Sequence, residues 1–191
     1  YARHANGDEL SLPKITREAL IAFHQRMYTG KNIIVIAAGD LDPKTLGPQL
    51  EKIFSALPAG AAFTPPAVPA PRKFTASRLL LIDKPDATQT YFNIAMPGIS
   101  RTDPDRVTLH VINTLFGGRF TSMLNDALRV NSGLTYGARC VVERDRLTGA
   151  LYISTYTRTE TTTQAIDMAL DVLKQLVTKG LDAEQLASAK A

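Results

Sequence analysis

The sequence is poor in metal-ligating and cross-linking residues: one cysteine, Cys140, and three histidines, His4, His24 and His110. A single cysteine excludes an internal disulfide, and with three scattered histidines it excludes a cysteine-based zinc knuckle. The redox compartment is left unassigned. Long hydrophobic runs are also missing. The longest, Ile33 to Ala38, falls far short of the roughly 18–20 residues of a membrane span and is the length of a buried strand. No signal peptide is recognisable. The chain opens on Tyr1 rather than Met and closes on Lys190-Ala191 inside an expected helix, so both ends read as cut. A concentrated charge of one sign is absent as well. The net charge is +4, and basic residues alternate with acids in Arg101–Arg106 and Glu143–Arg146. Nucleic-acid binding calls for a dense basic stripe interleaved with aromatics, so that class is set aside. A groove-lined small-ligand module is set aside with it.

Apolar residues make up 45% of the 191 positions, enough to bury the core of one ordinary domain or parts of two. The clearest boundary is 58–71, which holds five of the eleven prolines and no charged side chain. Proline fixes φ and removes a backbone donor, so neither a helix nor a central strand runs through it, and it reads as a semi-extended linker. Before it, Thr16 caps an expected helix reaching Tyr28, with Ala19, Leu20, Phe23 and Met27 on one face. Asn32 to Ala38 reads as a strand covered on both faces. Asp42-Pro43 then starts a helix bearing Leu46, Leu50, Ile53 and Leu57.

After the linker, Leu79–Asp83 and Thr90–Met96 read as strands joined by a turn at Lys84-Pro85-Asp86. Asp103-Pro104 starts a helix to Phe116, apolar over most of its circumference and expected to be buried, which Gly117-Gly118 ends. A second helix spans Thr121–Val130, with Met123, Leu124, Ala127 and Leu128 inward. Past a loop at Asn131–Gly133, Tyr136–Val142 and Ala150–Thr157 form an expected hairpin. A helix to Thr178 follows, with Ile166, Ala169, Leu170, Leu173 and Val177 on one side, and Gly180 stops it. Asp182, with Gln185 three residues on, caps a last helix. The order β-β-α-α-β-β-α-α gives the fold class: α+β, a two-layer sandwich of helices on a largely antiparallel sheet.

Four stretches carry a family resemblance: Lys84-Pro85 with Gln89, Leu115-Phe116-Gly117-Gly118, Leu128-Arg129, and Gly133-Leu134-Thr135-Tyr136-Gly137. Gly149 opening a strand and the closing helices fit as well. The second unit resembles the C-terminal, inactive repeat of the M16 zinc metallopeptidases, the group of pitrilysin, insulin-degrading enzyme and the mitochondrial processing peptidases. The first unit, with Asn32 to Gly39-Asp40 between two helices, resembles the tail of the preceding repeat. The resemblance implies three segments: 1–57 as that tail, 58–71 as linker, and 72–191 as the first two-thirds of the inactive repeat.

Active members of that family bind zinc through an inverted His-x-x-Glu-His motif. The spacing puts two imidazoles on one helix face and a general base between them. None of the three histidines here has a second one four residues away. His110 lies where the inactive repeat would have lost the motif, and reads as a packed or edge histidine rather than a ligand. No metal or catalytic residue is therefore assigned, and zinc is expected only in an active repeat or a partner subunit. Cys140, in an expected strand, reads as an inert thiol. The glycines read as turn and packing residues rather than a phosphate cradle.

Arg129 and Tyr136 stand seven residues apart across the Asn131–Gly133 loop. Taken alone, they read as a solvated cation at a helix end and an aromatic on a sheet face. The resemblance implies a substrate-binding role: both reach into a closed chamber and contact the substrate backbone. The chemistry suits it, since guanidinium offers a rigid fork of donors and a phenol can donate to a carbonyl oxygen. The implied partners are an unfolded peptide, bound partly by strand addition, and a catalytic repeat or subunit of the same family. A homodimer in which the two units exchange stays open. The fragment alone is expected to be inactive within a zinc-dependent endopeptidase. The alternative is a non-catalytic structural or assembly subunit of the same fold. A bacterial periplasm or cytoplasm is the expected setting.

Overall fold

The structure, a computed structural model, describes residues 6–67 and 75–190. His4 and the linker residues beyond Ala67 up to Pro71 lie outside the described residues. The chain divides into two compact units, Tyr1–Ala70 and Pro71–Ala191, taken here one at a time.

The first unit contains α1, Arg17–Met27, and α2, Pro43–Phe54. Thr16 Oγ1 accepts from the Ala19 N–H at 3.2 Å, as its N-cap position requires. Asp42 caps α2 with Pro43 behind it, accepting from Lys44 N–H at 3.0 Å and from the Thr45 hydroxyl at 2.7 Å. The Thr45 hydroxyl chiefly holds the Asp42 carboxyl below the usual carboxylate range. The stretch Asn32–Ala38 departs from expectation. It forms no ladder, and Ile34 and Ile36 are 87% and 86% exposed. Leu20 and Phe23 of α1 are exposed too. Among the described residues of this unit only Thr29 is buried. Two short helices and one extended segment supply no second layer, and a strand without neighbours cannot be covered on both faces.

Asn32 holds this unit together through polar contacts. Its amide nitrogen donates to Thr29 Oγ1 (3.0 Å) and to the Ala61 carbonyl (3.1 Å), and its amide oxygen accepts from Phe63 N–H at 2.7 Å. Gly30 and Lys31 N–H bond the carbonyls of Pro58 and Ala59. The start of the proline-rich stretch is thereby pinned to the unit. Gly60 permits this through φ +64°, a Cβ there colliding with the Thr29 side chain.

The second unit is α+β. A three-stranded antiparallel sheet of order β1-β3-β2 is formed by β1 (Gln89–Pro97), β2 (Arg139–Val142) and β3 (Ala150–Arg158). Tyr91 pairs with Tyr156 and Ile94 with Ile153 across β1–β3, while Cys140 pairs with Ile153 across β2–β3. Alternation places Phe92, Ile94, Cys140 and Ile153 on the helix side. The expected strand Leu79–Asp83 is absent. The turn survives as Ala87 N–H to Lys84 C=O, 3.0 Å, but Leu79–Ile82 pair with nothing described and are 79–91% exposed.

Four helical elements complete the unit: α3 (Arg106–Asn113), α4 (Met123–Asn125), α5 (Thr162–Lys179) and α6 (Ala183–Lys190). Helix α3 continues as a π-helical segment, Thr114–Gly118, and α4 as another, Asp126–Asn131. No residue of α3 itself is buried, so the expectation of a buried helix is corrected; only its π-helical extension, Leu115–Gly117, enters the core. Helix α5 seats a different stripe from the expected one. Ala165, Ala169 and Val172 are buried, whereas Leu170 faces solvent and Val177 is 76% exposed. Small alanines let the helix approach the core, and an apolar arc this wide does not by period alone select its contact line. Gly180 ends α5 at φ +68°. Asp182 and Gln185 exchange the reciprocal bonds of a capping box at 2.8 and 3.1 Å. No helix among the described residues is long and apolar enough to cross a membrane.

The core gathers Phe116, Leu124, Leu128, Leu134, Ala138, Cys140, Ile153, Ala165, Ala169 and Val172. Gly117 lies against β2: an added Cβ would meet the Cys140 backbone nitrogen, and would lie 2.6 Å from Cys140 Cβ and 2.8 Å from Leu124 Cδ1. Gly117→Ala should therefore destabilise this unit by about 2–3 kcal/mol in denaturant unfolding; an unchanged midpoint would contradict that packing. Burial pushes the Cys140 thiol from 9.0 to about 11. Between those values the unfolded chain loses a proton that the folded chain keeps. Stability contributed by the thiol is thus lost as pH rises above 9. Cys140 should resist alkylation until the protein unfolds, as mass spectrometry of iodoacetamide-treated samples would show.

Candidate functional site

Arg129 sits in the π-helical continuation of α4, and Tyr136 in the segment leading to β2. The structure brings them together. Arg129 Cζ lies over the Tyr136 ring, 4.5 Å from its centroid, and over the Phe120 ring, 4.6 Å from its centroid. Both distances are well inside cation–π range. Tyr136 is 74% exposed and Phe120 62% exposed, while Arg129 is half-buried beside them. The ion pair found among the described residues is Arg158–Glu160. The Arg129 guanidinium is matched by ring faces rather than by a carboxylate, so its charge is not neutralised locally.

Asn125 sets this arrangement. It lies one turn before Arg129, is 8% exposed, and reaches both flanking segments. Its Nδ2 donates to the Phe120 carbonyl at 3.1 Å, and its Oδ1 accepts from Ala138 N–H at 2.9 Å. One amide thus fixes the chain on either side of the cation. The helix start is held by buried Ser122, whose hydroxyl caps Asn125 N–H at 3.4 Å.

A buried hydroxyl network fixes the Tyr136 side. Thr157 Oγ1 donates to the Leu134 carbonyl at 2.7 Å. Thr155 Oγ1 lies 3.1 Å from Thr135 Oγ1 and 3.0 Å from the Gly137 carbonyl. Leu134 and Thr135 N–H both bond the Leu128 carbonyl, one residue before Arg129. With Thr135 turned inward against Thr155 of β3 and Ala138 buried, Tyr136 is left pointing outward. Gly133, at φ +63°, makes the reversal between helix and strand.

The described histidines, His24 and His110, do not join this site. His110 Nδ1 lies 2.8 Å from Arg144 Nη2; guanidinium can only donate, so the imidazole accepts. His24 stacks on Tyr28 in the first unit. Among the described residues no group of three His, Cys, Asp or Glu side chains could hold a metal ion. The described residues therefore do not fit a zinc site. Chemically, the Phe120–Arg129–Tyr136 cluster offers hydrogen-bond donors to an acceptor-rich ligand, and none of its three side chains is a His, Cys, Asp or Glu.

Comparison with known proteins bears on this geometry. The model of the family described as "Peptidase M16 inactive domain" matches residues 14–191. An uncharacterized zinc protease of Mycobacterium tuberculosis is 28% identical over 185 residues, 96% of this chain and 42% of that protein. The non-peptidase homolog YmxG of Helicobacter pylori is 26% identical over 191 residues, covering 99% of this chain and 43% of that one. The crystal structure of a peptidase M16 inactive domain from Pseudomonas fluorescens superposes with a TM-score of 0.85 at 29% identity, covering all of this chain and 45% of that chain. The chain spans less than half the length of these relatives.

Loss of the Asn125 amide should be costly because it strands a buried N–H on Ala138 and frees the Phe120 carbonyl. Asn125→Ala is expected to lower unfolding free energy by ~2–4 kcal/mol in urea titration. A loss below ~0.5 kcal/mol would mean the amide does not organise the site.

Proposed function

The chain belongs to the peptidase M16 family, matching its inactive domain, and on that premise we propose that it holds substrate rather than cleaving it. In this reading, residues 1–57 are the tail of a preceding repeat, 58–71 a linker, and 72–191 the leading part of an inactive repeat. The chain forms part of the wall of a chamber. Zinc and the catalytic base belong to another repeat or to a partner subunit. The substrate is an unfolded peptide in an extended conformation.

The observation that carries the reading is the pairing of Arg129 with Tyr136 at the surface, 4.5 Å from Cζ to ring centroid. A half-buried cation at the surface, with no carboxylate partner among the described residues and held against an aromatic ring, is suited to peptide carbonyls. The location of Arg129 in a π-helical segment adds to this, because such segments are frequent at functional sites. The outer side of β1, unpaired among the described residues, offers backbone groups for strand addition.

A second reading is favoured by one finding, the likeness to a relative named a non-peptidase homolog. There the same surface serves assembly with another subunit, and peptide affinity is absent. The two readings separate in a fluorescence-anisotropy titration of the protein with a labelled unstructured peptide. Under the substrate-holding reading, Arg129→Ala weakens binding by about 10-fold or more, the size of a lost charge-assisted hydrogen bond. Tyr136→Phe keeps the ring and removes only the hydroxyl, so a smaller loss of ~3–10-fold is expected. Absence of peptide binding in the unsubstituted protein, or identical binding by all three proteins, would favour the assembly role.

A further inference from the structure

We infer that Phe120 is a positioning residue for peptide binding: its ring holds the Arg129 guanidinium with its N–H edge presented outward. The inference rests on the substrate-holding reading of Arg129 and extends it to a residue outside the implied Arg–Tyr pair.

The geometry is specific. Arg129 Cζ is 4.6 Å from the Phe120 centroid and 4.5 Å from that of Tyr136, so the two rings cover the cation almost equally. The stacked aromatic pairs among the described residues are His24–Tyr28 and Tyr91–Tyr156. Phe120 and Tyr136 are joined through the guanidinium rather than through each other. A guanidinium directs all five donors along its edge, in its own plane. Ring contacts at 4.5 and 4.6 Å from Cζ consume none of these donors and leave them available. They also restrict an otherwise flexible side chain, so less rotamer freedom is lost when a ligand docks.

Phe120 has no evident packing reason to be where it is. It is 62% exposed, outside the hydrophobic core, and has no polar group of its own. Its backbone is nevertheless anchored, with its carbonyl held by the buried Asn125 amide at 3.1 Å and the helix cap Ser122 two residues on. An exposed ring on a fixed backbone, laid over a cation that no described carboxylate neutralises, is the arrangement of a support. Phe120→Leu should leave the fold intact because the side chain lies outside the core.

The test compares Phe120→Leu, Phe120→Trp and Arg129→Ala in the same protein, with two readouts: affinity for an unstructured peptide and the NMR order parameter of the Arg129 Nε–Hε group without peptide. Phe120→Leu is expected to lower that order parameter and to weaken binding by ~3–10-fold, with melting temperature unchanged. Phe120→Trp, which restores a π face, should recover both. In the Arg129→Ala background, Phe120→Leu should have no further effect on affinity. Unchanged Arg129 order in Phe120→Leu, or failure of Phe120→Trp to restore it, overturns the positioning role whatever the affinities do. If Arg129→Ala itself leaves peptide affinity unchanged, the substrate-holding reading fails, while the order parameter still decides whether Phe120 immobilises the cation.

Discussion

The second unit depends on one buried amide. Asn125 takes a hydrogen bond from the entry to β2 and gives one to the loop before α4, while its helix carries Arg129 one turn further on. Because backbone groups on both sides are satisfied by the same side chain, the loop, the helix and the strand cannot shift independently. The aromatic rings against the guanidinium inherit this rigidity. The threonine network under Tyr136 acts in the same sense from the sheet, tying residues 134–137 to β3 through Thr155 and Thr157. A surface site of three exposed or half-exposed side chains is thus supported by buried polar bonds, which is how preorganised binding sites are built.

This arrangement accounts for the chemistry that the surface cluster offers. A helix, a glycine reversal at Gly133 and a strand lead-in present a cation and a phenol on one surface. Nothing in that cluster can activate water. His110 is occupied with Arg144, and Cys140 is buried with its thiol pushed up to about 11. Membership of the M16 family as its inactive domain agrees with that chemistry. Peptide holding remains the proposal that gives the uncompensated guanidinium a purpose.

How much was legible in the sequence depends on whether the signal was local. Thr16, Asp42-Pro43 and the Asp182–Gln185 pair were read as helix starts because a cap is decided by residues a few positions apart, and each forms its expected bonds. The expected strand Ala150–Thr157 likewise coincides with β3. The strand assignments of Asn32–Ala38 and Leu79–Asp83 fail for the opposite reason. Both are apolar enough for a sheet, but a strand exists only through its neighbour, and no described segment pairs with either. In α5, nine apolar residues within one helix allow two contact stripes, and the small alanines select the one that packs. Arg129 and Tyr136 are singled out by the family resemblance and not by spacing, and the structure brings the two side chains into contact. Phe120 and Asn125 were missed. Asn125 left a usable trace, since asparagine is a poor helix former and needs a reason to sit between Leu124 and Leu128 on the inward side. Phe120 left none, because an aromatic beside a helix cap is as common in loops as in sites.

The central claim is that the Arg129–Tyr136 surface receives the backbone of an extended peptide. A crystal structure of the protein with a bound unstructured peptide tests it most directly. The account requires a peptide carbonyl oxygen within about 2.7–3.2 Å of an Arg129 guanidinium nitrogen, with the Tyr136 hydroxyl turned toward the same chain. A peptide seated on another surface, with Arg129 and Tyr136 still facing open solvent, would contradict it.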